Sequence, residues 1–345
     1  MRCPRLNDLP PPPPGKTGWP WTEASPPLPD AMPDGQPWPR VSIVTPSYNQ
    51  GQFIEESIRS VLLQGYPDLE YFIFDGGSTD GSVEIIRKYE PWLNGWASEP
   101  DRGQSHAINK GLERSTGRFF NWHNADDDLT PGSLAAAAAA FAAHPEASYV
   151  HGYSIVINRK SEITKYNYGL FHGKSGFALD LAWSVANLKA GCQPGCLMNR
   201  ELVIAVGGID EDNVFIMDLD ICLRLALVRP PYYIDEPVVF YRQYPEAKSS
   251  SRQQERANAR LEVAEKLFAL PDLPPSVRRL RRKAMASAHW YAVKCYTEVG
   301  MRRPALRHML RHVGYRPLGL WGRRISTLFA LLRSIFGTAP EQENQ

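Results

Sequence analysis

Three consecutive carboxylates, Asp126, Asp127 and Asp128, follow the largely apolar segment 118–123 of this 345-residue chain. Neighbouring carboxylates repel one another, so gathering three of them requires a cation or several hydrogen-bond donors among them. Asp126 and Asp128 could direct oxygens at one Mg²⁺ or Mn²⁺ ion whose remaining positions are filled by phosphate oxygens. The alternative is that Asp127 and Asp128 cap a helix that begins near Pro131.

The chain around this triplet alternates between strand and helix patterns. Apolar strand patterns lie at 41–46, 69–74, 95–98 and just before the aspartates, with helix patterns between them. Such alternation predicts an α/β fold with a Rossmann-like, mostly parallel sheet flanked by helices, and it places ligands beyond the carboxyl ends of the strands. The polar turns at those ends hold Pro46, Tyr48, Asn49, Asp75 and Asp101.

Four short motifs follow one another along the first third of the chain. They are Val-Ser-Ile-Val-Thr-Pro-Ser-Tyr-Asn at 41–49, Asp-Gly-Gly-Ser-Thr-Asp-Gly-Ser at 75–82, Ser-Glu-Pro-Asp-Arg-Gly-Gln-Ser at 98–105 and Asn-Ala-Asp-Asp-Asp at 124–128. This ordered set resembles family 2 glycosyltransferases of the GT-A fold, and an ordered set is far more specific than any single motif. The resemblance continues at 193–195, 206–210 and 217–220.

The resemblance implies a nucleotide-diphosphate sugar as donor, carrying UDP, GDP or dTDP. Asp75 would accept hydrogen bonds from the base. The alternative is that Asp75 only forms a turn in Asp-Gly-Gly. The other residues implied at the nucleotide are Pro46, Tyr48, Asn49, Asp101, Arg102, Asp126 and Asp127. Asp126 and Asp128 match the metal-binding motif for Mn²⁺ or Mg²⁺, with Asp128 as the direct ligand.

A general base is implied at Asp218, in the segment Met-Asp-Leu-Asp at 217–220. It would take the proton of the acceptor hydroxyl in a single displacement that inverts the anomeric carbon. The family usually has a Glu where this chain has Met217, which leaves the exact base open. The alternative is an acid at a helix start, beside an i,i+4 ion pair of Asp220 with Arg224. The chain has no Gln-x-x-Arg-Trp segment, so we expect transfer of one sugar per encounter.

Four regions are predicted along the chain. Residues 1–39 are rich in proline and are expected to form a disordered leader. Residues 40–250 are expected to form the catalytic domain and 251–337 a basic helical extension, followed by a disordered tail at 338–345.

The C-terminal extension carries much of the positive charge of a chain whose formal net charge is only +2. Within 317–337, Trp321, Ile325 and Leu328 recur at helical spacing beside Arg323 and Arg324. This segment is too interrupted by arginine to span a bilayer. It could lie on an anionic membrane surface or pack on the catalytic domain, and both settings stay open.

The cellular setting is expected to be the cytoplasm, with the inner membrane face as a further option. Five scattered cysteines form no disulfide framework, and the N-terminus does not have a signal-peptide pattern.

The leading hypothesis is therefore an inverting, metal-dependent glycosyltransferase. Its acceptor would be a glycan or a lipid-linked acceptor, as in cell-surface polysaccharide or glycoconjugate synthesis. One alternative is a sugar nucleotidyltransferase, although that would need a Gly-rich basic loop after the first strand. Another is a catalytically silent nucleotide- or glycan-binding scaffold at the membrane. No nucleic-acid partner is expected, because the basic residues lie outside any recognition module. The motifs identify neither the sugar, the base, the acceptor nor the oligomeric state.

Overall fold

The computed structural model describes residues 1–167, 175–177, 181–190, 194–316 and 323–336. Predictions for Gln193, Trp321 and the tail 338–345 lie outside these residues. The chain forms two compact units. The first comprises residues 1–181 and 190–244, and the second comprises 182–189 and the chain from 245 onward.

One sheet lies at the centre of the first unit, and the described residues contribute nine strands to it. The strands are β1 (Val41–Ser47), β2 (Leu69–Asp75), β3 (Gly95–Ser98), β4 (Phe119–Trp122), β5 (Asp128–Leu129), β6 (Tyr149–Ile157), β7 (Ile163–Asn167), β8 (Leu197–Asn199) and β9 (Tyr232–Arg242). Their order is β3-β2-β1-β4-β8-β6-β9-β5, and β7 pairs with β6. Since β3, β2, β1 and β4 are parallel, their carboxyl ends meet at one edge.

Helices cover this sheet on both faces. They are α1 (Ile54–Leu62), α2 (Ser82–Tyr89), α3 (Gln104–Arg114), α4 (Ser133–Ala143), α6 (Arg200–Ala205) and α7 (Met217–Val228), while α5 (Leu181–Asn187) begins where the first unit ends. Ile43 packs in one core cluster with Ile58 of α1, whereas its neighbour Val44 packs in the other with Ile108 of α3. Alternate residues of a strand thus point to opposite helical layers, and the predicted α/β fold is confirmed.

Pro46 lies inside β1 and is buried, although the resemblance places it beside the base. Proline cannot donate a ladder hydrogen bond, so it is excluded from most central strands. Here β4 pairs with β1 only as far as Val44, so the missing N–H leaves no neighbour unpaired on that side. Pro46 therefore lies beyond the part of β1 that pairs with β4, while the pairing with β2 continues to Ser47.

The proline-rich leader packs against the first unit, contrary to the expectation of disorder. Trp21 and Leu9 are buried, and the Trp19 indole donates to the carbonyl oxygen of Leu129 at 2.9 Å. The guanidinium of Arg59, on α1, donates to the carbonyl oxygens of Pro10, Pro20 and Trp21 at 2.8 to 3.0 Å. Proline-rich chain has unpaired carbonyls along its length, and a buried arginine supplies the donors that they need.

The second unit is helical. Its helices are α8 (Lys248–Ser251), α9 (Gln253–Ala269), α10 (Pro275–Arg278), α11 (Arg281–Glu298), α12 (Arg302–Tyr315) and α13 (Arg323–Phe336). Its core holds small side chains such as Ala257, Ala292 and Ala305, which allow close helix packing. Leu331 of α13 is buried in this core and Leu328 packs against it, so part of the predicted amphipathic face is covered within the unit. None of the described helices is both long and apolar enough to cross a bilayer.

Candidate active site

Tyr48 and Asp101 meet above Gly76 at the carboxyl edge of the sheet. The Tyr48 side chain is 63% exposed, just beyond the end of β1. A Cβ placed on Gly76 would lie 3.3 Å from the Tyr48 ring and 3.2 Å from Asp101 Oδ2. Glycine at this position therefore lets an exposed aromatic ring and a carboxylate approach one another closely. Two of the residues that the sequence predicts at the nucleotide are thus neighbours.

Asn49 ties the turn after β1 to the turn after β2. Its backbone has a φ of 52°, in the left-handed region that asparagine tolerates better than most residues. Its N–H donates to Ser78 Oγ at 2.7 Å, and its side-chain oxygen accepts from the N–H of Thr79 at 3.0 Å. Asn49 therefore holds two strand ends in register rather than projecting away from them.

Asp75 is buried at the end of β2 and is engaged by its own turn. Its Oδ2 accepts from the N–H groups of Gly77 and Ser78 at 3.1 and 2.8 Å, and from Ser98 Oγ at 2.7 Å. Its Oδ1 accepts from Ser78 Oγ at 2.5 Å. These bonds shape the Gly-rich turn and link it to β3, as the turn-forming alternative expects.

Arg102 and Asp101 precede helix α3 but have different partners. Arg102 Nη2 lies 2.6 Å from Glu211 Oε2 in an exposed ion pair. Asp101 Oδ1 accepts from the N–H of Gly103 at 2.8 Å. The Arg102 guanidinium is therefore occupied by a carboxylate, whereas Asp101 keeps its other oxygen close to Gly76.

The aspartate triplet sends its three side chains to different surroundings. Asp126 is partly exposed, and its Oδ2 accepts from the Tyr244 hydroxyl at 2.9 Å. Its Oδ1 accepts no hydrogen bond from any other residue that the structure describes. Asp127 is buried and accepts from Asn124 Nδ2 and from the Arg242 N–H, both at 2.9 Å.

Asp128, which the sequence predicts as the direct metal ligand, is buried and forms an ion pair with Arg242. Its Oδ2 lies 2.7 Å from Arg242 Nη2, and the same Nη2 lies 3.4 Å from Glu56 Oε2. Asp128 Oδ1 is buried and accepts no hydrogen bond in the described part of the chain. A cation bound there would lie close to the fully buried guanidinium, which would repel it. The pairing of β5 with β9 creates this contact.

The protein environment opposes ionisation of all three carboxyl groups of the triplet. Burial raises the pKa of Asp126, raises that of Asp127 to about 8, and raises that of Asp128 well above its usual range. The repulsion of Asp127 by Asp126, and of Asp128 by Glu56, acts in the same direction. Arg242 is the guanidinium that opposes these effects. A divalent cation beside the triplet would favour the ionised carboxylates and offset these effects.

The protein would supply few of the ligands of a bound cation, and the phosphate oxygens of the substrate would supply most of the others. Among the described residues, no three His, Cys, Asp or Glu side chains are arranged to hold a metal ion. Mg²⁺ and Mn²⁺ commonly bind through one or two carboxylates and complete their coordination with phosphate oxygens and water. Asp126 is the member of the triplet with an accessible oxygen, so it fits such a site best.

Asp218 lies in the first turn of α7 and is partly exposed. Helix α3 anchors the loop before α7: Asn109 Nδ2 donates to the carbonyl oxygen of Ile209 at 2.8 Å, and Ser105 Oγ donates to that of Asn213 at 3.4 Å. The N-terminal end of α3 also reaches the triplet, because Gln104 Nε2 donates to Asn124 Oδ1 at 3.0 Å. One helix thus connects both predicted parts of the site.

The expected i,i+4 ion pair is present in α7. Arg224 Nε lies 2.9 Å from Asp220 Oδ2, and its Nη1 donates to the carbonyl oxygen of Val206 at 2.6 Å. Asp220 is buried. Asp220 therefore anchors α7, while its neighbour Asp218 stays at the surface.

Sequence reasoning missed Arg242, Tyr244 and Glu56. They belong to β9, to the segment after it and to α1, and none lies in one of the quoted motifs. The signal in the sequence is an arginine that directly follows the apolar run at 238–241, since a charged side chain beside such a run requires a buried partner.

Comparison with known proteins agrees with this architecture. Residues 42–207 match the model of glycosyl transferase family 2, which includes Asp75, Asp101 and Asp126 but ends before Asp218. The uncharacterized glycosyltransferase Rv1514c of Mycobacterium tuberculosis is 29% identical over 199 residues, or 57% of this chain and 72% of that protein.

Two solved structures share the fold. TarS 1–349 of S. aureus, in complex with UDP-GlcNAc, aligns with a TM-score of 0.59 and 15% identity, over 86% of this chain and 91% of that one. The mannosyltransferase PcManGT of Pyrobaculum calidifontis, in complex with GDP-Man and Mn²⁺, aligns with a TM-score of 0.56 and 21% identity, over 90% and 91%. The segment 42–207 matches glycosyltransferase family 2, the chain has the GT-A fold, and the comparisons support a glycosyltransferase enzyme.

Proposed function

We propose that this enzyme is an inverting, divalent-metal-dependent glycosyltransferase that uses a nucleotide-diphosphate sugar. The observation that carries the proposal is the aspartate triplet at the carboxyl edge of the sheet, where burial and mutual repulsion raise the pKa of all three carboxyl groups beyond what Arg242 offsets. The nucleotide-sugar complexes of TarS and PcManGT, which share the fold, support the donor class.

The donor nucleotide would bind across the ends of β1 and β2. The exposed Tyr48 ring offers a stacking surface for a base, and Asp101 Oδ2 offers an acceptor beside it. Asp75 and Asn49 would contribute indirectly by holding the turns in place, since their polar atoms form hydrogen bonds with Ser78 in the turn after β2. Pro46 would orient the turn that carries Tyr48.

The cation would be Mn²⁺ or Mg²⁺, held by Asp126. When bound, it would neutralise the charge that develops on the departing diphosphate. Tyr244 donates to one oxygen of Asp126 and so orients the other toward the ligand. Asp127 and Asp128 would hold the loop through Arg242 rather than contact the metal.

Asp218 would accept the proton of the acceptor hydroxyl as that oxygen attacks the anomeric carbon. Its position in the first turn of α7, partly exposed, suits an approach by a surface-bound acceptor. The acceptor would be a glycan or a lipid-linked acceptor in cell-surface polysaccharide synthesis, at the inner membrane face. We expect one sugar to be transferred per encounter.

Calorimetric titration with UDP, GDP and dTDP, with and without Mn²⁺, tests the donor site. We expect one diphosphate to bind, and its affinity to fall at least tenfold without Mn²⁺ or in Asp126→Asn. The exposed Asp272→Asn is the matched control, because it removes the same charge from the other unit. Metal-dependent binding that survives Asp126→Asn and is lost in Asp128→Asn would instead support the ligand predicted from sequence.

Nucleotide release from the donor sugar, with extracted cell-surface glycolipids as acceptors, tests catalysis. Loss of a general base typically slows the reaction by about 10²- to 10⁴-fold. We expect Asp218→Asn to lose activity in that range and to keep its affinity for the nucleotide within about twofold. Binding with no release in the unaltered protein would instead favour a silent scaffold.

A further inference from the structure

Helix α12 has two distinct faces. Its inner face, which includes Ala305, Met309 and His312, is buried in the second unit. Its outward face carries Arg303, Arg307, Leu310, Arg311 and Gly314, all exposed. Helical spacing places these five within an arc of about 100°. Because the inner face is anchored, the outward face is presented to the surroundings in one orientation.

The outward face is strongly basic and has no counter-charge in the described structure. Residues 245–336 contain nineteen Lys and Arg but only six Asp and Glu, a formal charge of +13 against +2 for the whole chain. No described carboxylate pairs with Arg303, Arg307 or Arg311. Unpaired arginines on one helix face attract an anionic partner.

Apolar side chains stand among these arginines. Leu310, between Arg307 and Arg311, is 59% exposed, and the loop that enters α12 exposes Val299 and Met301. A dissolved polyanion such as nucleic acid would bind the arginines but give no reason for an exposed leucine between them. A membrane surface engages both, because apolar side chains enter the headgroup boundary while arginines contact phosphates.

A cleft of about 400 Å³ lies at the C-terminal end of this face. Arg282 of α11 and Arg311 of α12 line it together with Gly314 and Tyr315. No atom would lie within 4 Å of a Cβ on Gly314, so the approach to the cleft is open there. Arg282 Nη2 also donates to the carbonyl oxygen of Gly314 at 3.4 Å. Two guanidinium groups lining one cleft form a donor set suited to a phosphate group.

We propose that α11 and α12 form a docking surface for anionic phospholipid, with a headgroup phosphate between Arg282 and Arg311. Leu310 enters the bilayer boundary, while Arg303 and Arg307 contact neighbouring headgroups. This surface is separate from the segment 317–337, in which the sequence places a membrane contact. Binding of phospholipid to this surface does not require transferase activity, so the vesicle experiment tests the surface independently of the proposed reaction.

Co-sedimentation of the full chain with phosphatidylcholine vesicles, with and without phosphatidylglycerol, tests the proposal. We expect binding to the anionic vesicles only, with a strong decrease in high salt. Each arginine near an anionic surface contributes about fivefold to binding. The triple variant Arg303→Ala/Arg307→Ala/Arg311→Ala should therefore bind about 100-fold more weakly. Leu310→Ser should weaken binding without changing the charge.

A triple variant of exposed arginines in the other unit is the matched control. Arg87→Ala/Arg118→Ala/Arg229→Ala removes the same charge and should bind vesicles within about fivefold of the unaltered protein. Circular dichroism and diphosphate titration would verify that each variant is folded.

Several outcomes would overturn the proposal. They are equal binding to neutral vesicles, no binding to either kind, equal losses in both triple variants, or full binding by the α12 variant. Capture of inorganic phosphate or of an oligonucleotide, without vesicle binding, would assign the arginines to a dissolved anion instead.

Discussion

Arg242 is the residue on which the charge balance of the site depends. Its Nε donates to the carbonyl oxygen of Asp126 at 2.8 Å, and its N–H and Nη2 reach the carboxylates of Asp127 and Asp128. Its Nη1 also donates to Ser161 Oγ at 2.8 Å. One buried guanidinium thus shapes the whole triplet loop and leaves Asp126 at its accessible edge.

Replacing Arg242 should destabilise the first unit severely. Arg242→Met leaves the carboxylate of Asp128 buried without its partner, and breaking such a pair costs about 3–5 kcal/mol. Urea unfolding measures this loss. The exposed Arg229→Met is the matched control and should change stability by less than about 0.5 kcal/mol. A loss below about 1 kcal/mol in Arg242→Met would show that Asp128 finds other support.

At the scale of elements, helix α3 is the connection between the donor edge and the loop before α7. It lies close to β1 because Gly111 has no side chain, and a Cβ there would overlap both methyl groups of Val44. The small residue sets the distance between helix and sheet, and that distance sets the position of Gln104 beside Asn124.

Gly111→Ala should move α3 outward and destabilise the first unit by about 1–3 kcal/mol, the usual cost of overpacking. Nucleotide affinity should fall at the same time, because Gln104 moves with the helix. Val44→Ala in the same chain removes the obstructing methyl groups, so the double variant should recover part of both losses. Thermal unfolding and diphosphate titration would measure them. Strictly additive losses in the double variant would contradict this account.

The buried histidines of α11 and α12 make the second unit sensitive to acid. His289 Nδ1 and His308 Nδ1 lie 3.0 Å apart, a distance at which the two rings share one proton. Burial lowers the pKa of His289 to about 4 and also lowers that of His308, and the neighbouring Arg311 acts in the same direction. An unfolded histidine titrates near 6.5, so between about pH 6.5 and 4 the unfolded chain binds protons that the folded chain does not.

Stability of the second unit should therefore fall as the pH drops from about 6.5 towards 4. In His289→Gln, one of these groups is removed, so the pH dependence over this range should be shallower than in the unaltered protein. Unfolding followed by circular dichroism at several pH values measures the slope. Identical slopes in both proteins would assign the acid sensitivity to other groups.

At the scale of the whole molecule, the leader belongs to the packed first unit. Arg59 connects α1 to three leader carbonyls and to the Tyr89 hydroxyl, and Trp21 stacks over its guanidinium. Further along, Tyr66 donates to the carbonyl oxygen of Pro39 at 2.7 Å. The leader thus covers apolar side chains that would otherwise face water.

Removal of residues 1–39 should lower the unfolding midpoint of the first unit by at least about 5 °C, because Arg59 loses three acceptors and apolar surface is exposed. Calorimetry of the full and shortened chains measures the difference. Trp21→Ala in the full chain should give a smaller shift in the same direction. A shortened chain with an unchanged midpoint would restore the view that the leader is an independent, disordered segment.

Local patterns were sufficient to predict the first four strands and the helices between them. Runs such as 41–46 and 69–74 have an apolar composition that suits buried parallel strands, and α1, α2 and α3 lie between the strands as the helix patterns predict. Since parallel strands end at one edge, the gathering of Tyr48, Asp75 and Asp101 there also followed from the order of the motifs.

Contacts between distant segments could not be predicted in this way. Arg242 reaches Asp128 because β5 and β9 pair across more than a hundred residues, and nothing in the pattern of either short segment specifies that partner. The sequence of the leader has no periodic apolar pattern that would predict its packing. Its carbonyl oxygens are instead bound by Arg59, a single side chain of α1, and this contact is visible only in the folded structure. Secondary structure follows from neighbours along the chain, whereas the pairing of buried charges depends on which segments meet in space.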